Sequence, residues 1–148
     1  MTSFFEHQRT SYKRNYMRNL IALASTDGAL DPEETRLIYS IGARRGLKDW
    51  QIAELLEDTS SHIFFIPESV NNRMNLLFDV MQIVFADGMV TSTEHVFITN
   101  IIKALELQPD LVHELITLFE ARTPTMLEWN EFIESVVEID SRKFLTIL

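Results

Sequence analysis

The chain contains no cysteine, which excludes disulfides, thiolate zinc sites and cysteine nucleophiles together. Glycine and proline are sparse, four of each in 148 residues, so each one can be read as punctuation. No apolar run approaches the roughly 18 residues of a membrane span. Met1 to Arg9 lacks the long apolar stretch of a signal peptide, so a cytoplasmic protein is expected. What is present is 46% hydrophobic residues, too many for disorder. The length predicts a single domain over 1–148. A chain of this size buries roughly 70% of the surface its unfolded form exposes.

Charge is unevenly placed. Residues 1–48 hold 8 basic and 5 acidic side chains, and residues 49–148 hold 5 basic and 17 acidic, for a net −9. Arg9, Lys13, Arg14 and Arg18 fall near one face of a helix. That face is either a docking patch for an acidic partner or an ordinary solvated surface. The acidic remainder repels a polyanion, so nucleic-acid binding is not expected.

Apolar spacing is helical nearly throughout. Met74, Leu77, Phe78, Met81, Val84 and Phe85 follow the i, i+3, i+4, i+7 pattern. So do Phe97, Ile98, Ile101, Ile102 and Leu105, and Trp129, Phe132, Ile133, Val136 and Val137. The β-like stretch Ile63-Phe64-Phe65-Ile66 is short and closed by Pro67, and reads as an apolar linker packed on the core. Pro32, Pro67, Pro109 and Pro124 each sit where a helix can begin. Gly28, Gly46 and Gly88 follow apolar stretches, as C-terminal caps do. The expectation is an all-α domain of about seven helices, near 4–26, 32–45, 49–58, 67–86, 92–106, 109–121 and 125–138.

Shifted by 60 residues, the sequence matches itself. Between 27–56 and 87–116 there are 8 identities in 30 positions without a gap, among them Asp27/Asp87, Gly28/Gly88, Glu34/Glu94 and Leu47/Leu107. Two units, about 16–56 and 76–116, are predicted to share one core across a pseudo-twofold, with the helix near 125–138 added outside them.

The turn Asp-Gly-x-φ-x-x-x-Glu (φ apolar) occurs in both units. One reading is structural. Asp31 and Thr91 begin helices with Glu34 and Glu94 three residues on, forming capping boxes. The other is a divalent cation. The turn is similar to the second half of an EF-hand loop, but the first ligand positions hold Leu23 and Ser25, and Ile83 and Phe85, so an EF-hand is rejected. A site shared between the units, using Asp27, Asp31, Glu34, Asp87 and Glu94, stays open. Calcium, magnesium, manganese and zinc are the candidate ions.

In the stretches Leu20–Glu34 and Asp79–Glu94, the chain resembles the TerB-like family, named for tellurite-resistance proteins. The resemblance covers about 16–120. It implies a duplicated helical domain, a link to tellurite or other chemical stress, and divalent-metal binding at Asp27, Asp31 and Glu34 in the first unit and Asp87 and Glu94 in the second. Thr91, where the first unit has Asp31, departs from symmetry.

Other residues yield less. Asp110-x-x-His113 has the carboxylate–histidine spacing of di-iron bundles, but that architecture needs two such motifs. No Ser-His-Asp order or phosphate loop stands out. Trp129 and Phe132 either cap the core or anchor a partner. The expected function is a non-catalytic TerB-like module acting through a protein partner. The alternative is a divalent-metal sensor or buffer.

Overall fold

In a computed structural model, the described residues are 4–26, 28–58, 64–86 and 92–147. They form seven α-helices: α1 (Phe4–Ala24), α2 (Pro32–Arg44), α3 (Asp49–Glu57), α4 (Val70–Val84), α5 (Ser92–Ala104), α6 (Val112–Glu120) and α7 (Met126–Ile147). No strand occurs among the described residues. The expected all-α class is what is observed.

Helix α4 is the centre of the assembly. Nine of its fifteen residues are buried. A helix apolar nearly all round must be wrapped by others, and α4 packs against α1, α2, α5 and α7. Around it Met17, Leu20, Ile38, Ile52, Ile98, Ile101, Leu115 and Trp129 join one continuous core. Trp129, Phe132 and Val136 of α7 are buried in it, so α7 caps the core. Phe78 lies 5.1 Å from Trp129 and 5.6 Å from Phe119, ring centre to ring centre.

Helix ends respect the 60-residue offset. α1 and α4 end at 24 and 84; α2 and α5 run over 32–44 and 92–104. The C-terminal caps of α2 and α5 agree in detail. Gly46 N–H donates to Ala43 O at 3.0 Å and Leu47 N–H to Gly42 O at 2.9 Å. Sixty residues on, Glu106 N–H donates to Lys103 O at 2.9 Å and Leu107 N–H to Ile102 O at 3.0 Å. This double bond pattern places a positive-φ residue just past the helix and a buried apolar residue after it. Gly46 has φ 93° and Glu106 φ 56°; Leu47 and Leu107 are both buried.

Several boundaries depart from expectation. α4 starts at Val70, not Pro67, because Ser69 accepts from Asn72 N–H as the N-cap. Pro67 remains in the extended segment before it. Pro109 opens a short 3₁₀ turn, Pro109–Leu111, ahead of α6. α7 runs nine residues past the expected 138, where neither Gly nor Pro interrupts it. Gly28 is not the cap of α1. It lies four residues past Ala24, at φ 140°, with its N–H on Ser25 O.

Glu106 holds a conformation that a side chain disfavours and glycine adopts freely. Glu106→Gly is therefore expected to stabilise the fold by about 0.5–1 kcal/mol, read as a higher urea midpoint at unchanged slope. Gly46→Ala is expected to move the midpoint the other way.

Candidate functional site

The described acidic residues at the starts of α2 and α5 share one cleft. The start of α2 carries a reciprocal cap: Glu34 N–H donates to Asp31 Oδ1 at 2.8 Å, and Asp31 N–H donates to Glu34 Oε1 at 3.0 Å. Pro32 at the first helical position and Glu33 beside it suit a helix start. Asp31, Glu33 and Glu34 then line a small cleft of about 170 Å³ together with Ile83, Val84 and Ala86 from the end of α4, and Glu94 and Phe97 from α5. So the first unit's Asp31 and Glu34 and the second unit's Glu94 come to one place. Asp27, Asp87 and Thr91 lie outside the described residues.

The donor set at this cleft is all hard oxygen, which suits calcium, magnesium or manganese better than zinc. Asp31 and Glu34 each have one carboxylate oxygen committed to the cap. Among the described residues no three Asp, Glu or His side chains converge closely enough to hold an ion. The described carboxylates alone do not make a cation site.

A second polar centre was not foreseen. Asp79 is the buried charged residue of α4, 5% exposed. Its Oδ2 accepts from Tyr16 OH at 2.5 Å and from Arg45 Nη2 at 2.6 Å. Arg45 Nη2 also reaches Tyr16 OH at 2.9 Å, and its guanidinium lies 3.9 Å from the Tyr16 ring centre. Tyr16 is on α1 and Arg45 caps α2, so the carboxylate ties three helices together. Burial, followed by the Asp79 charge, pushes the Tyr16 phenol well above its ordinary value of 10.0. The sequence signal was an acid inside the apolar run Leu76-Leu77-Phe78-Asp79-Val80-Met81: such a group must find a partner or lose its charge. At the matching position of the first unit, Asn19 does related work. Its amide clamps the backbone of Phe65, with Nδ2 donating to O at 2.6 Å and Oδ1 accepting from N–H at 2.7 Å.

That clamp shapes a groove of about 590 Å³ between α1 and the segment 65–69. Tyr12, Phe65 and Ile66 line it and are 62%, 69% and 41% exposed. The expected apolar linker is thus packed only in part: Phe64 is against the core, while Phe65 and Ile66 face outward. Alternation along extended chain explains the split at 64 and 65. Of the basic face, Arg18 lines the groove and binds Asn15 at 2.9 Å, whereas Arg14 turns to α3, 5.6 Å over Trp50 and 3.8 Å from Glu54. The Arg9 side chain lies outside the described residues. His95 and His113 approach to 6.0 Å between ring centres, with no third ligand in reach among the described residues.

At the start of α7, Glu128 accepts from Arg122 at 2.7 Å and from Thr125 N–H at 3.0 Å, and Thr125 Oγ1 accepts from Glu128 N–H at 3.2 Å. The Arg122 hydrogen bond and this cap pull the Glu128 carboxyl down to about 2.

No family model matches the chain, and no curated protein matches it in sequence. Among solved structures, the crystal structure of a tellurite resistance protein from Nostoc punctiforme superposes with a TM-score of 0.59. The match covers 93% of this chain and 82% of that one, at 20% identity. This chain has the TerB-like fold. The all-helical TerB-like fold expected from the Leu20–Glu34 and Asp79–Glu94 stretches is the one found.

Two predictions concern the buried trio. Asp79→Leu strands the Tyr16 hydroxyl and Arg45 without their acceptor, and is expected to lower stability by about 2–3 kcal/mol in urea unfolding; adding Tyr16→Phe should return part of that loss. Alkaline pH supplies the second. The Tyr16 pKa is higher in the folded than in the unfolded chain, so its contribution is full below the unfolded value of 10.0 and declines as pH rises above it. Stability of Tyr16→Phe should therefore fall less steeply than that of the parent between pH about 10 and 11.

Proposed function

We propose that this protein is a TerB-like module of a stress-response system, of the kind the tellurite resistance protein represents, and that it works by binding a protein partner rather than by catalysis. The observation that carries this reading is the groove between α1 and the segment 65–69. Exposed aromatic and aliphatic side chains grouped in a concave surface, with a polar rim, are the usual material of a protein contact. Phe65 and Ile66 are presented there on a backbone fixed by Asn19, and Arg73 Nε holds Pro67 O at 2.7 Å. A contact surface mounted on a fixed segment loses little conformational freedom on binding. The strongly shifted ionisable groups support binding over chemistry: Tyr16 is spent on the Asp79 carboxylate and Glu128 on a helix cap. In this reading the two helical units are a duplication, and the matched caps at Gly46 and Glu106 are its trace.

A specific observation favours a second activity alongside the first. Asp31, Glu34 and Glu94 share one cleft although 60 residues separate the two glutamates. In this second reading a divalent cation sits there, with Asp27 and Asp87 supplying further oxygens from the adjoining turns.

The two readings separate experimentally. A photo-crosslinker at Phe65 is expected to capture one protein in the native cell, and Ile66→Asp is expected to abolish that capture without lowering the melting midpoint. Undiminished capture by Ile66→Asp contradicts the groove as the contact. For the cation, binding to the native state must raise the melting midpoint. Calcium, magnesium, manganese or zinc at millimolar level should raise it against chelator, and Glu94→Gln should remove the rise. An unchanged midpoint with all four ions contradicts the site.

A further inference from the structure

Two of the four histidines stand together on the second helical unit. His95 is the fourth residue of α5 and His113 the second of α6. Their ring centres are 6.0 Å apart, with the ring planes at 63°. The backbones beneath them are held in place, because Phe97 and Ile98 on one helix and Val112 and Leu115 on the other are buried in the core. The rings themselves are within reach of solvent. His113 is exposed and borders an open cleft of about 560 Å³ between α6 and α7, and His95 is half-buried. Among the described residues, the contact of the two rings with each other is the one interaction either ring makes.

A neutral imidazole carries one ring nitrogen with a free lone pair, and it is the commonest side-chain ligand of metals. With metal–nitrogen bonds of about 2.0–2.1 Å, two imidazoles on one ion have ring centres about 4.5 Å apart at a right angle and about 6.5 Å apart when opposed. The observed 6.0 Å falls inside that span, so a shared ion needs the two rings to turn while the helices stay in place. Donor type and donor number decide which ion. Nitrogen donors favour late first-row metals over calcium or magnesium. Among the described residues no third Asp, Glu or His joins the pair. Affinity must then come from the metal, and copper(II) heads the order of binding strength among these ions. Its tetragonal geometry accepts two imidazoles in the plane, with water at the other positions. The surroundings favour a cation, with 5 basic against 17 acidic side chains over residues 49–148. We propose that His95 and His113 chelate one copper(II) ion across α5 and α6, through one ring nitrogen each. Once the first nitrogen binds, the second binds intramolecularly, so the pair outcompetes a single surface histidine.

The site uses neither the groove nor the oxygen donors of the acidic cleft. The test uses the full chain carrying His7→Gln and His62→Gln, in which His95 and His113 are the remaining histidines. Copper(II) chloride is titrated at neutral pH against glycine as a competing chelator, and electron paramagnetic resonance counts the equatorial imidazole nitrogens. The expected result is one ion per chain held by two imidazoles. Adding His113→Gln should lower the count to one and weaken copper by roughly tenfold or more, the loss of chelation. His113 is exposed, so that change should leave the copper-free melting midpoint in place. In the parent chain, the ring protons of His95 and His113 should broaden together at substoichiometric copper, and calcium should leave them unmoved. A single imidazole nitrogen in the two-histidine chain overturns the proposal, as does undiminished affinity in His113→Gln or separate broadening of the two rings in the parent.

Discussion

Helix α4 buries nine residues, and one of them is a carboxylate. The eight apolar ones need neighbours on every side, and α1, α2, α5 and α7 supply them. The carboxylate needs something more specific. A buried charge is tolerated only with opposite charge and hydrogen bonds in place, and Asp79 obtains both from Tyr16 and Arg45. Apolar packing alone would let α1 and α2 slide against α4. The trio fixes where they sit, because Tyr16 OH and Arg45 Nη2 must both meet one oxygen.

That constraint sets the surfaces on either side. With α1 pinned at Tyr16, Asn19 one turn later reaches the backbone of Phe65, and the groove takes shape between them. With α2 pinned at Arg45, its C-terminal end faces the start of α7 across a cleft of about 310 Å³, and its N-terminal end brings Asp31 and Glu34 toward the end of α4. Two of these surfaces adjoin the trio, since Tyr16 lines the groove and Arg45 the cleft.

Much of this architecture is legible in the residues. The 3.6-residue stripes at 74–85, 97–105 and 129–137 place three of the core helices, because a buried face needs that period whatever its neighbours. Asp31-Pro32-Glu33-Glu34 announces its cap, since those four residues satisfy the first N–H groups of a helix locally. The 60-residue match foretells the equal offset of the helix ends. What the sequence does not disclose is long-range pairing. Nothing local links Tyr16, Arg45 and Asp79, and the trio has no counterpart under the offset, where Leu76, Leu105 and Asn19 stand instead. The start of α4 was misplaced for a local reason: Pro67 and Ser69 are both competent starters, and the hydroxyl cap at Ser69 prevails. The extension of α7 shows that an ending needs a breaker, and none follows Glu138. Of the candidate ligands, Asp31, Glu34 and Glu94 share a cleft, while Asp27 and Asp87 fall outside the described residues.

Native-state hydrogen exchange tests most directly whether α4 holds the two helical units as one body. If it does, amides of α4 exchange only through global unfolding, and the buried turns of α1, α2 and α5 share the same opening free energy. An opening free energy for α5 and α6 well below that of α1, α2 and α4 would contradict it, showing two units that unfold separately.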